Sequence, residues 1–373
     1  MFVQFRPTRM EVSLENLKSN FAAVREWVGP RVQPIAVVKA NGYGTGMIQA
    51  ARAFRDGGAQ RFAVAIPEEA IELRENGFGE PILVLGASAP CAAFEMVRQD
   101  IAAACTDLDF ARAMSEAAVR QGKPARVHLK IDTGMGRIGF LPDQLPSVLN
   151  EILALPGLEV EGVFTHFATA DEINLDYTRW QFRRFGDVLE LLRSRNVGVR
   201  IRHACNSAAT LSLPEMHLDA VRPGVILYGM WPSAAVRRSV ELKPVFEVKT
   251  AIACLRTLPA GSGISYGLRY MTRGEERIAA LPLGYNDGWT RLLNFKAEVL
   301  VRGRRAPVVG SICMDQCMIN VNHIPEAQVG DEVVLIGSQG GETITVDEVA
   351  ARLGTINYEI PGMFSRRVPR VYV

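Results

Sequence analysis

The sequence predicts an α/β protein, an N-terminal (β/α)8 barrel over residues 1–240 followed by a mainly-β domain over 241–373. Three observations lead there. Eight short apolar runs, at 34–40, 61–66, 81–86, 101–106, 126–132, 158–166, 199–205 and 218–222, are mostly separated by segments of helical period. After Met230-Trp-Pro-Ser233 the pattern changes to strand-like runs divided by turns. The length of 373 residues also exceeds what one ordinary core organises. An open doubly wound sheet is the alternative for the first part, but no Gly-x-Gly-x-x-Gly follows its first run.

Taken in order, residues 13–28 read as a helix. Leu14, Leu17, Phe21, Val24 and Val28 share a face, Ser13 can cap it, and Gly29-Pro30 stops it. The segment Pro67–Glu75 opens with the proline that a first helical turn tolerates, and 107–121 opens with an aspartate cap. In the last third, strand-like runs fall at 245–257, 277–282, 297–302, 306–311, 318–321, 331–337 and 368–373, with one helical segment at 346–353.

Composition excludes several classes. Basic and acidic residues number 42 and 40, so no nucleic-acid or other polyanion partner is expected. No apolar run is long enough to span a bilayer, and the start lacks a charged-then-apolar leader, so a cytoplasmic protein is expected. The six cysteines are scattered as free thiols would be. The one close pair, Cys313 and Cys317, would lie roughly 13 Å apart on a strand, too far to share a zinc ion, and no metal is expected.

If the first part is a barrel, functional residues should follow the strands at one rim. Lys39, Asn41 and Tyr43 follow the first run; Lys130, Asp132 and Arg137 close the fifth; His166 ends the sixth. Asn206-Ser207 follow the seventh, and Arg222-Pro-Gly224-Val225 the eighth. A lysine ending a β-branched run loses its charge readily and can become a nucleophile for a carbonyl. It can also simply snorkel to water. Ser207 followed by a helix, with Gly224-Val225, suits a phosphate, though Ser207 could equally be a plain cap. Arg222 needs a partner, which could be Asp219 or Asp132, and His166 could be a satisfied core histidine. In the β domain, Tyr266 stands in the glycine-rich loop 261–267, Gly284-Tyr-Asn-Asp-Gly288 reads as a turn, and Asp315 lies among apolar neighbours.

Together these motifs resemble the alanine racemases, pyridoxal 5'-phosphate enzymes of the barrel-plus-β-domain type. The resemblance runs from about residue 7 to the end. It is carried by Lys39-Ala-Asn-Gly-Tyr-Gly44, Asp132-Thr-Gly-Met-Gly-Arg-Ile-Gly139, His166-Phe-Ala-Thr-Ala-Asp171, Arg222-Pro-Gly224, Ser265-Tyr-Gly267 and Cys313-Met-Asp-Gln316. It implies that Lys39 holds the cofactor as an aldimine and acts as base on one face of the substrate Cα. Tyr266, from the second subunit of a homodimer, would serve the other face. Tyr43, Ser207, Gly224, Val225 and Tyr358 would hold the phosphate. Arg222 would face the pyridine nitrogen, Arg137 the phenolic oxygen, and His166 would link Tyr266 to Arg222. Met314 would help bind the substrate carboxylate, while Asp315, Tyr285 and Tyr270 line the way in. Lys130 matches a position that is carbamylated in some relatives. The implied activity is interconversion of L- and D-alanine, supplying D-alanine for peptidoglycan.

Thr45, Asn286 and Ser311 depart from residues common in the family, histidine, alanine and arginine respectively. Asn286 and Ser311 adjoin Tyr285 and the Met314 segment, which leaves substrate selectivity and dimer contacts open. The rivals are a racemase of the same fold acting on serine or basic amino acids, a decarboxylase of this architecture, and a non-catalytic pyridoxal-phosphate carrier. A carrier would have no use for the β domain and Tyr266.

Overall fold

A computed structural model describes residues 5–373, and the chain divides into two compact units. One comprises 15–42 and 47–244; the other comprises residues up to 14, 43–46 and 245–373.

The first unit is the expected barrel. We label its strands β1 (Gln33–Pro34 and Ala36–Val37), β2 (Phe62–Val64), β3 (Ile82–Val84), β4 (Ala102–Cys105), β5 (Ala125–Lys130), β6 (Leu158–Phe164), β7 (Ile201–His203) and β8 (Ala220–Val221). All pair in parallel with their neighbours in this order. The barrel closes at β1, whose first piece pairs with β8 while its second pairs with β2. Ile35, between the pieces, donates to Val221 O at 2.8 Å, and Ala36 turns the other way to Arg61 O at 2.9 Å. β2 (Phe-Ala-Val), β3 (Ile-Leu-Val) and β4 (Ala-Ala-Ala-Cys) are short and every residue in them is buried.

The helices between them follow the cap and stop signals. Helix Leu14–Val28 buries Leu17, Phe21, Val24 and Val28, and Gly29 ends it at φ 76°. Pro67–Glu75 begins at its proline. In Leu108–Gln121 the Asp107 side chain accepts from Phe110 N at 2.8 Å, and Gly122 closes the helix in the left-handed region.

The second unit is mainly β. Among the described residues its main sheet holds Phe246–Ala251, Cys254–Leu258, Glu276–Leu281, Glu298–Val301, Arg304–Val309, Cys317–Asn320 and Glu332–Gln339, joined by two strands from the chain ends. Arg9–Val12 pairs antiparallel with Phe246–Ala251 and parallel with Arg370–Tyr372. The alternation of Arg9 and Glu11 with fully buried Met10 and Val12 makes this short stretch a strand. Four residues are too few for that alternation to stand out in sequence, and the strand belongs to the β unit although it precedes the barrel.

Candidate active site

The barrel strands bring the singled-out polar residues of this unit to one rim. Lys39 lies two residues past β1, Lys130 ends β5, and His166 lies two residues past β6. Ser207 lies four residues past β7, Arg222 directly follows β8, and Arg137 sits in the loop after β5.

Lys39 opens an unusual turn. Ala40, Asn41 and Gly42 all adopt left-handed angles (φ 54°, 53° and 60°). Non-glycine residues enter this region at a cost of roughly 1–2 kcal/mol each, so something must hold them there. Glu69 does so on one side: its Oε1 accepts from Ala40 N at 2.6 Å, and its Oε2 from Ala65 N at 2.9 Å, past the end of β2. Asn41 Oδ1 accepts from Met47 N at 3.1 Å on the other. The Lys39 amine is pushed below the ordinary lysine range, first by burial, then by the charges of Arg137 and Arg222, with Glu69 opposing. This is the condition the opening run suggested, an amine that gives up its proton cheaply.

Arg222 is 3% exposed, and neither suggested carboxylate pairs with it. Asp219 binds Arg202 at 2.6 Å. Asp132 gathers the backbone N–H groups of Gly134, Met135, Gly136 and Arg137 at 2.8–3.1 Å and so shapes the loop carrying Arg137. Burial would raise the Asp132 pKa, but those hydrogen bonds and Lys130 outweigh it and lower it. Arg222 instead donates to neutral groups: His203 Nδ1 at 2.8 Å, Thr165 O at 2.7 Å, Ala204 O at 2.9 Å and, at 3.4 Å, His166 Nδ1. Burial lowers its pKa to about 10, so it stays charged at neutral pH. Burial, followed by Arg222, Arg137, Lys130 and Lys39, drives His166 well below the usual imidazole range, so it is neutral there.

Lys130, 2% exposed, donates to Ile131 O at 2.8 Å, and burial brings its pKa down to about 8. Ser207 is the first residue of helix Ser207–Ser212. Its cap is Asn206, which accepts from Ala209 N at 3.1 Å, so the plain-cap reading of Ser207 fails. The Ser207 hydroxyl accepts from Gly224 N at 2.8 Å and joins the loops after β7 and β8. Gly224 and Val225 are buried beside it.

In the β unit, Tyr43 and Tyr358 meet ring to ring at 6.4 Å, and burial raises the Tyr43 pKa. Tyr266 is 75% exposed. Its loop is braced by Ser311, whose hydroxyl donates to Tyr266 O at 3.0 Å while Ser265 donates to Ser311 O at 2.6 Å. Tyr285 N and Asn286 N donate to Cys313 O and Met314 O at 3.0 and 3.1 Å, tying the segments of Tyr285 and Met314 together. Gly284 is required there, since a Cβ would run into those carbonyls. Tyr270 donates to Glu276 at 2.6 Å. Asp315, among apolar neighbours in sequence, is exposed and pairs with Arg367 at 2.7 Å, in a turn where Met314, Asp315 and Gln316 all reach solvent. Among the described residues no cluster of His, Cys, Asp or Glu suits a metal ion, and no helix is long and apolar enough to cross a membrane.

Glu69, His128, Glu161 and His203 escaped the sequence reading. The histidines and Glu161 sit inside apolar strand runs, where a polar residue facing the barrel axis was the available signal.

A lysine whose amine is pushed below its usual range and a buried arginine at the C-terminal rim of a (β/α)8 barrel, with a mainly-β domain following in sequence, are the arrangement of an enzyme of the barrel-plus-β-domain class. Residues 12–232 match the family model described as alanine racemase, N-terminal domain, and 245–372 the one described as alanine racemase, C-terminal domain. The chain belongs to the alanine racemase family. It is 47% identical to an alanine racemase of Desulforamulus reducens, over 98% of this chain and 99% of that one. It is 45% identical to alanine racemase 2 of Caldanaerobacter subterraneus subsp. tengcongensis, over 100% and 96%. Among solved structures, the alanine racemase of Bacillus anthracis with bound L-Ala-P superposes with a TM-score of 0.94 at 39% identity, covering 100% of this chain and 96% of that one.

Proposed function

We propose that this chain interconverts L- and D-alanine, with pyridoxal 5'-phosphate as cofactor and two bases on opposite faces of the substrate Cα. The observation that carries the reading is the rim itself, a depressed-pKa lysine beside an arginine held only by neutral acceptors. The residues present fit the cofactor: Lys39 for its carbonyl, Ser207, Gly224 and Val225 with Tyr43 and Tyr358 for its phosphate, Arg222 for its ring nitrogen and Arg137 for its phenolic oxygen. When bound, the cofactor supplies the electron sink that makes the Cα proton removable.

The chain's own groups do the rest. Lys39, neutral more readily than an ordinary lysine, takes or returns the proton on one face. Tyr266 of a second copy serves the other face, and His166, within reach of Arg222, connects that tyrosine to the arginine. Arg222 has donors only and stays charged, so it holds the ring nitrogen without giving it a proton. That keeps the sink weak, which favours prompt return of the proton to Cα. Met314 contacts the substrate carboxylate, and Asp315, Tyr285 and Tyr270 line the way in. A homodimer is supported by the exposure of Tyr266, Leu268, Met271, Tyr285 and Met314 in the β unit. Lys130, buried and neutral at mildly alkaline pH, suits carbamylation, which would set a negative charge near Arg137. The setting we infer is the bacterial cytoplasm, with D-alanine feeding peptidoglycan.

A chiral assay across a panel of L-amino acids with added pyridoxal phosphate tests this. Alanine should be inverted far faster than serine, lysine or arginine. Faster inversion of serine or a basic amino acid would move the assignment to the same-fold racemases of other specificity. Bound cofactor without any inversion would leave a carrier.

A further inference from the structure

Packed branched side chains normally fill a (β/α)8 barrel. Here a polar chain runs down the interior from the rim. Arg222 Nη1 meets His203 Nδ1 at 2.8 Å, His203 Nε2 meets His128 Nδ1 at 2.8 Å, and His128 Nε2 meets Glu161 Oε2 at 3.2 Å. Glu161 Oε1 then accepts from Arg61 at 3.1 Å. Arg222, His203, His128 and Glu161 are 3, 0, 1 and 5% exposed.

The donors fix the direction of this chain. A guanidinium can only donate, so His203 Nδ1 accepts and its proton is on Nε2. That proton points at His128 Nδ1, which must accept in turn, leaving the His128 proton on Nε2 facing Glu161. A reversed tautomer, or an extra proton on either ring, would set two donors face to face in a buried site. The chain therefore has to end on an acceptor.

We infer that Glu161 is a positioning residue for Arg222, acting through two neutral imidazoles whose tautomers the chain locks. The inference rests on the proposed role of Arg222 at the cofactor ring. Two further features look built for the chain. A Cβ at Gly162 would collide with the His128 ring, so only glycine leaves room for it. Phe164 stacks flat on His203, 4.8 Å between centroids and 2° between planes. Burial would raise the Glu161 pKa, but the His128 hydrogen bond and Arg61 outweigh it, so the carboxylate is charged at neutral pH. A buried polar network is costly unless every member is satisfied, and here every member is. Its benefit is a guanidinium that cannot rotate, with a counter-charge at the far end of the barrel.

The test is imidazole 15N spectroscopy of the histidine-labelled holoenzyme, with the five histidines assigned by substitution. His128 and His203 should both appear as neutral Nε2–H tautomers; an Nδ1–H tautomer or an imidazolium at either overturns the chain. The tautomers are read on the wild-type chain, so the measurement stands even if Glu161→Gln unfolds the barrel. Glu161→Gln then removes the charge and, because His128 and Arg61 meet different carboxylate oxygens, sets an NH2 donor against one of those two donors. Its kcat for alanine should fall on the order of tenfold, as for one screened charge about a dozen ångströms away, with KM little changed. A wild-type kcat in this variant overturns the positioning role. A wild-type enzyme that does not racemise alanine would overturn the functional reading and the role with it, and the 15N tautomers would report separately on whether the chain exists.

Discussion

Lys39 and Lys130 show how one physical cause, burial near other cations, prepares two lysines for different ends. Lys39 lies in the turn after β1 beside Arg137 and Arg222, whereas Lys130 ends β5, donating to Ile131 O with its amine 5.6 Å from the centre of the Phe164 ring. The Lys130 shift has a consequence for stability with a definite sign. Below about pH 8 its ammonium is protonated folded and unfolded, so the full burial cost is present. Between about pH 8 and the ordinary value of 10.5 the folded state has released the proton and the unfolded state retains it, so stability rises with pH. Denaturant titrations in carbon-dioxide-free buffer should show this rise in the wild type and lose it in Lys130→Met. Parallel curves for the two proteins through that window would contradict the assigned shift.

At the scale of elements, the left-handed turn after β1 is the piece that aims Lys39. It persists because Glu69 satisfies the N–H groups of Ala40 and Ala65 at once. Glu69→Ala should orphan both and cost about 1–3 kcal/mol in chemical unfolding. A loss within about 0.5 kcal/mol, the range of ordinary surface changes, would mean the turn is held by something else. This brace was not legible in the sequence, since Glu69 reads as one of the two acidic residues opening helix Pro67–Glu75. Helices Leu14–Val28, Pro67–Glu75 and Leu108–Gln121 were legible, because the Asp107 cap, the Pro67 start and the Gly29 stop act locally. The strand Arg9–Val12 was not, because its partners lie more than 200 residues away. His203, Glu161 and His128 were hidden differently: what makes them informative is that three separate strands aim them at one axis.

For the whole molecule, the barrel supplies Lys39 and the β unit supplies Tyr266, and the proposed dimer completes each site with the tyrosine of the other copy. Mixing inactive Lys39→Ala with inactive Tyr266→Phe and allowing subunits to exchange should restore part of the racemase activity. Every mixed dimer then contains one intact site and one that lacks both bases. No recovery, with exchange demonstrated by mass spectrometry, would place both bases in one chain. The rim was readable in sequence as a set of polar residues following apolar runs, and Tyr266 as an exposed residue of a glycine-rich loop; their assignment to opposite faces came only with the family resemblance. Proton exchange in D2O measures that assignment most directly. With L-alanine, the wild type should form D-alanine carrying deuterium at Cα. Tyr266→Phe should lose inversion by ~10²–10⁴, the usual size of an acid–base contribution, while Lys39 still exchanges the proton on its own face. Unimpaired inversion by Tyr266→Phe, or a wild type that forms no deuterated D-alanine, would contradict it.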